Sequence, residues 1–164
     1  MSLGGVILYA ADHGEMLGDH GLMAKMNFYK SSVRIPLIVR PPGGSDARVH
    51  DGPVQAIDLA ATMLDAAGTS QAGIPARTLG PLTEDAKAHR DIALSMIRLR
   101  PGSPTWLGVT DGETRATFDH ESGDVVEVFD LVGDPDEAHN LSETAPTAEV
   151  DRLRGLAQAA LTGG

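Results

Sequence analysis

The chain has 164 residues with a formal charge of −10, 41% hydrophobic but only 4% aromatic residues, and no cysteine. That length favours one domain, or one domain with a small appendage, around a core of Val, Leu, Ile, Ala and Met. The acidic balance argues against a nucleic-acid partner and against adhesion to anionic membranes, and the missing cysteines exclude disulfides, thiolate metal sites and a cysteine nucleophile. An anionic ester in a locally positive site stays compatible with this charge. No apolar run approaches the ~18 residues of a membrane span. The N-terminus also lacks the basic start and long apolar stretch of a signal peptide, so the compartment is unknown.

Residues 3–10 form a continuous apolar run without alternation, the pattern of a strand covered on both faces in a parallel α/β sheet. Asp12-His13-Gly14 follows directly, where open α/β sheets bind ligands. Asp12 and His13 can share one ligand only if the chain turns there, and Gly14 is expected to permit the turn. A short helical turn is expected within 27–33, and a second buried strand over 37–40. Residues 54–67 predict a helix, with Val54, Ile57, Ala61 and Leu64 on one stripe, Asp58 at its edge, exposed or capping, and Gly68 as C-cap. Residues 69–89 show no firm periodicity and read as a long surface connection.

Residues 91–97 can form a strand. Asp111-Gly112 suits a type I′ hairpin turn between 105–110 and 113–118. A further strand over 125–130, with Val126 and Val128 on one face, completes a three-strand antiparallel meander, which 92–97 can join as a fourth strand. Pro146 opens an amphipathic helix ending near Leu161, with Val150, Leu153, Ala157, Ala160 and Leu161 on one face. The fold class is thus α/β, α+β within this chain. Its divisions are an α/β core part over 1–68, a connection over 69–90 and a subdomain of β-meander plus helix over 91–164.

The polar chemistry concentrates between the first two strands, at Asp12, His13, Asp19, His20 and Lys25. A carboxylate next to an imidazole just past a buried strand makes half of a divalent-metal site, and further ligands must come from elsewhere. Lys25 supplies a point positive charge suited to an ester anion. The plain alternative for Asp12-His13-Gly14 is a polar turn with a satisfied histidine.

The longer string Asp-His-Gly-Glu-Met-Leu-Gly-Asp-His-Gly-Leu, followed by Lys25, Tyr29 and Val33-Arg34-Ile35-Pro36-Leu37-Ile38-Val39, resembles the sulfatase family of the alkaline-phosphatase-like superfamily. Asp58-Leu59 with Met63-Leu64-Asp65-Ala66-Ala67-Gly68 resembles the helix that follows in sulfatases. Val128-Phe129-Asp130-Leu131, Asp134-Pro135, Glu137 and Asn140-Leu141 resemble their C-terminal signature. The resemblance implies that Asp12 and His13 coordinate a divalent metal, calcium or magnesium, and that Lys25 contacts the sulfate ester. It gives His20 no role as sharp: ordering of the loop is favoured over metal ligation. Arg34 is read as anchoring the loop, and Asp130 and Asp134 as turn and packing residues.

The family's formylglycine nucleophile, made from Cys or Ser in a C/S-x-P-x-R motif, has no counterpart in this chain, nor do the aspartates that complete the metal site. The chain is therefore expected to be the C-terminal portion of a sulfatase: the end of the central α/β sheet, then a small antiparallel sheet and a C-terminal helix. Alone it should be inactive. One alternative is a phosphonate monoester or phosphodiester hydrolase of the same superfamily; another is a non-catalytic metal-binding or interaction module. Unpaired strand edges would favour a homo-oligomer or a disordered first strand.

Overall fold

The computed structural model describes residues 4–44, 46–83 and 89–162. In chain order the elements are β1 (Ile7–Ala10), α1 (Lys30–Val33), β2 (Leu37–Arg40), α2 (Ile57–Ala66), β3 (Ala93–Arg98), β4 (Thr105–Thr110), β5 (Thr114–Asp119), β6 (Val125–Asp130) and α3 (Thr147–Thr162). Single 3-10 turns lie at Asp19–Gly21 and Gly80–Thr83. Leu3 of the predicted first strand and residues 84–88 of the predicted connection lie outside the described residues. Two compact units emerge: one joins the segment through Asp12 to Ile35–Arg90, the other joins His13–Arg34 to the chain from Asp91 onward.

In the first unit β1 and β2 pair antiparallel, with Leu8 opposite Val39 and Tyr9 opposite Ile38. The expectation of strands covered on both faces fails here. Among the described residues these strands pair only with each other, and Ile7, Tyr9 and Ile38 stand 48%, 60% and 61% exposed. An apolar run identifies a strand that is suited to burial, but it does not supply the layers that bury it.

α2 starts three residues later than predicted and ends as expected. Gly68 takes φ 67°; its N–H reaches Asp65 O at 2.9 Å, and Thr69 N–H reaches Leu64 O at 2.9 Å. This paired closure is the Schellman motif, which needs a left-handed residue just past the helix.

Asp58 is not at an exposed edge: it is fully buried. Its carboxylate accepts hydrogen bonds from Gln55 N (3.0 Å), Arg77 N (2.9 Å), His89 Nε2 (3.1 Å), Arg90 Nε (2.9 Å) and Arg90 Nη2. Burial alone would raise its pKa; the Arg90 guanidinium and the Arg77 and Gln55 amides outweigh burial and hold it at about 2. His89 is pushed down, first by burial and then by the nearby arginines, against the pull of Asp58. Leu79 is fully buried too, and its N–H donates to Thr62 Oγ1 at 2.9 Å. Arg77, Leu79, His89 and Arg90, from the aperiodic stretch after α2, are thus tied to that helix through the Asp58 carboxylate and the Thr62 hydroxyl.

In the second unit β3, β4, β5 and β6 form a consecutive antiparallel sheet, so β3 is the fourth strand of the meander. Leu107, Val109, Ala116, Phe118 and Val128 on one face pack with Val150, Leu153 and Ala157 of α3. Two details depart from expectation. Asp111 does not adopt positive φ, although Gly112 does. The Asp111 carboxylate instead accepts Glu113 N and Thr114 N, at 3.0 and 2.8 Å, an Asx-type closure that replaces the type I′ turn. A bulge beside Thr117 and Phe118 brings Val125 to the core and leaves Val126 exposed.

The opposite face of this sheet is covered as well. Arg115, Thr117 and Phe129 are buried there. A Cβ on Gly108 would lie 2.6 Å from the Phe28 ring, so the missing side chain of Gly108 is the space Phe28 fills. The polar loop before β2 is thereby seated on the C-terminal sheet.

Candidate active site

The loop over 13–34 folds back on itself around Met16, which is almost wholly buried. Met16 N donates to Ala24 O and Gly18 N to Leu22 O, each at 2.9 Å. The reversal is tight: Leu17, His20 and Ala24 all take positive φ, as do Gly18 and Gly21. Left-handed backbone at non-glycine residues costs about 1–2 kcal/mol each, so the burial of Met16 and the cross-loop hydrogen bonds must offset it.

A clasp of two serines joins the ends of the loop. Gly14 N donates to Ser32 O at 2.8 Å, and the buried Ser32 hydroxyl donates to Lys25 O. Ser31 Oγ donates to Asp19 Oδ2. The backbone next to His13 and the backbone of Lys25 therefore meet at one residue. Gly14 is not required for positive φ, as the sequence suggested, since it has none. It is required because a Cβ there would fall inside the Ser31 carbonyl, 2.9 Å from its carbon and 3.1 Å from Ser32 O.

His13 is exposed, with Nδ1 2.7 Å from Gly14 O. A backbone carbonyl on Nδ1 is the partner that prepares Nε2 for metal ligation. Asp12 is exposed and Lys25 half-buried. Among the described residues no three His, Asp or Glu side chains converge as a metal site. A carboxylate and an imidazole fit part of the coordination of calcium or magnesium, ions that take six or more ligands, mostly oxygens.

His20 lies face to face on Tyr29, with centroids 3.9 Å apart and planes 17° apart. Beneath Tyr29 lies Arg115, its guanidinium carbon 5.1 Å from the Tyr29 centroid and 4.5 Å from that of Phe129. Arg115 Nε donates to Glu137 Oε1 at 2.5 Å, and Nη1 contacts Glu127 at 3.1 Å. Glu137 Oε2 accepts Lys30 N at 2.6 Å. Desolvation raises the Tyr29 pKa, helped by Glu127 and Glu137 against Arg115; the phenol stays protonated at neutral pH. An open polar cleft of about 320 Å³ is lined by Asp19, His20, Lys30, Ser31 and Asp136. It contains none of Asp12, His13 or Lys25.

The residues of the C-terminal signature build the turn after β6. Asp130 Oδ1 accepts Val132 N and Gly133 N, Asp134 Oδ2 accepts His139 N, and Asn140 bridges Val126 O and Val128 N. Sequence reasoning named Glu137 only as a residue of the C-terminal signature and missed Ser32 and Arg115 as parts of this assembly. For Arg115 the available signal was its place inside a strand whose other face is apolar.

A sulfatase family model matches residues 5–69. The choline-sulfatase of Rhizobium meliloti (strain 1021) is 30% identical over 151 residues, covering 90% of this chain and 28% of that protein. An uncharacterized sulfatase of Escherichia coli (strain K12), YidJ, is 32% identical, covering 88% of this chain and 29% of its own length. Among solved structures, that of BT4656 in complex with its substrate D-glucosamine-2-N,6-O-disulfate superposes with TM-score 0.75 at 26% identity, over 97% of this chain and 35% of that one. The chain spans less than a third of the length of these two relatives. Over about nine-tenths of its length the chain is thus similar to sulfatases, each of which it matches over a C-terminal portion only.

Proposed function

We propose that this chain contributes Asp12, His13 and Lys25 to the active site of a sulfuric ester hydrolase whose nucleophile and remaining metal ligands lie in a preceding segment. The observation that carries the reading is the Ser32 clasp, which holds the backbone flanking His13 and that of Lys25 on one residue. In the reaction a nucleophilic oxygen bonds to sulfur, the ester S–O bond breaks, and the ester oxygen leaves with the electron pair and takes a proton. Lys25 binds the sulfate oxygens and balances charge that builds up during transfer. Asp12 and His13 supply an oxygen and a nitrogen ligand. Calcium or magnesium, when bound there, neutralises and orients the ester anion. His20 orders the loop by stacking on Tyr29 and is not a ligand.

Within this reading, 1–68 belongs to the catalytic core, 69–90 is the connection, and 91–164 is a subdomain that supports the site. The 164-residue chain alone is inactive. Its exposed row of Ile7, Tyr9 and Ile38, on a sheet of two strands, favours self-association of the isolated chain; a monodisperse monomer by light scattering would contradict that. The test of function is sulfate release from para-nitrophenyl sulfate by the full-length gene product, beside release from an aryl phosphonate monoester. Preferred turnover of the sulfate, lost in Lys25→Ala, is expected. Preferred turnover of the phosphonate would move the protein to the neighbouring hydrolase class. Aryl sulfate turnover by the isolated chain would overturn the two-part site.

A further inference from the structure

We propose that Glu137, which lies 112 residues beyond Lys25 in the sequence, is the positioning residue for the Lys25 loop; the functional half of this proposal rests on the reading of Lys25 given above. Glu137 is 2% exposed, and each carboxylate oxygen has a fixed partner. Oε1 takes the Arg115 Nε–H at 2.5 Å, and Oε2 takes the Lys30 N–H at 2.6 Å. The first contact anchors it to β5 and the second to the backbone where α1 begins. Lys30 Nζ ties the same turn a second time, to Asp136 Oδ1 at 2.7 Å and to Pro135 O.

Two features separate this arrangement from ordinary packing. Glu137 has φ 53°, a left-handed backbone that a non-glycine residue holds only when its surroundings enforce it. Arg115 is buried with Nη2 lacking an acceptor among the described residues, so its placement rests on Glu137, Glu127, Thr117 and the ring faces of Tyr29 and Phe129. An unbroken line of contacts then runs from Glu137 through Arg115 and Tyr29 to His20. A second runs from Glu137 through Lys30 N and the turn of α1 to Ser32, and from there to Lys25 O and Gly14 N. Moving the carboxylate would move both ends of the loop together.

Glu137→Gln tests this because an amide offers one acceptor where two donors point. In the 164-residue chain, hydrogen exchange at Gly14, Lys30, Ser32 and Arg34 should quicken by at least roughly tenfold, while Val109 and Phe118 in the sheet keep their protection. The ring-current shift of the His20 protons from Tyr29 should shrink. Leu153→Ala, which weakens the core beneath α3, should do the reverse. Should Glu137→Gln prevent folding, Glu137→Asp, one methylene too short to reach both donors, supports the same comparison. Equal acceleration across loop and sheet, or no change in the loop, would overturn the proposal.

In the full-length gene product, Glu137→Gln and Lys25→Ala should each lower kcat/KM for the aryl sulfate, and the double variant should fall little below Lys25→Ala alone. Effects that multiply would show that Glu137 does not act through Lys25. If Lys25→Ala has no effect, the reading of Lys25 fails, and the exchange experiment still decides whether Glu137 holds the loop.

Discussion

Gly14→Ala adds a single methyl group where the loop has no room for it. The new carbon would overlap the Ser31 carbonyl oxygen and lie 2.9 Å from its carbon and 3.1 Å from Ser32 O. All of these are backbone atoms, so no side-chain rotation relieves the contact. Restoring ordinary separation requires the 31–32 segment to retreat, which breaks the 2.8 Å bond from Gly14 N to Ser32 O. Overpacking of this kind costs about 1–3 kcal/mol, and the lost hydrogen bond adds about 0.5–1.5 kcal/mol. A loss of roughly 2–4 kcal/mol raises the opening constant of the loop roughly 30- to 1000-fold, at about 1.4 kcal/mol per tenfold.

Native-state hydrogen exchange at Met16, Ser32 and Arg34 reads that opening directly, and urea unfolding reports any loss that spreads to the whole unit. Gly18→Ala is the comparison. Gly18 has φ 106° but nothing within 4 Å of a new Cβ, so it carries only the backbone penalty of about 1–2 kcal/mol. Wild-type protection in Gly14→Ala, or a larger effect in Gly18→Ala, would refute the argument that Gly14 is there for a close approach.

Acid should destabilise the first unit in two stages. His89 is depressed below its ordinary 6.5, so the unfolded chain binds its proton first, and the stability it contributes is complete above 6.5 and erodes as pH falls below that value. Asp58 is held at about 2 against an ordinary 3.8; its contribution, about 2 kcal/mol at ~1.4 kcal/mol per tenfold, is present above 3.8 and is lost as pH falls towards 2. Urea midpoints between pH 8 and pH 3 should fall accordingly, and a flat profile would contradict the assignment. Asp58→Ala leaves the half-buried Arg90 and the buried His89 without their acceptor and should cost about 3–5 kcal/mol; circular dichroism during thermal unfolding would show it. Leu153→Ala empties a fully buried position under the sheet and should cost about 2–5 kcal/mol.

The parts of this fold that were legible in the sequence are those written in local pattern. β2, β4 and β6 carry their own alternation or apolar runs and form where expected. Gly68 ends α2 because a left-handed residue was needed there and only a glycine takes it without cost. The missed features depend on partners far along the chain. Asp58 looks like any polar residue beside a helical stripe until Arg77, His89 and Arg90 arrive from 19 to 32 residues away. Glu137 was marked only as a signature residue, and its partners Lys30 and Arg115, 107 and 22 residues distant, were not legible. The β1–β2 pair shows a different limit: the run could indicate a strand, but not which direction its neighbour would take. At the candidate site the support of the loop was not legible, because Ser32 acts mainly through its backbone carbonyl and a buried hydroxyl.

The central claim is that the loop holding Asp12, His13 and Lys25 is one part of a sulfate-ester site completed by a preceding segment. Its most direct test is para-nitrophenyl sulfate turnover with calcium or magnesium supplied, measured on the 164-residue chain, the full-length gene product, and the full-length Lys25→Ala variant. Turnover by the full-length wild type alone is the predicted result. Equal turnover in the Lys25→Ala variant, or turnover by the 164-residue chain, would contradict the account.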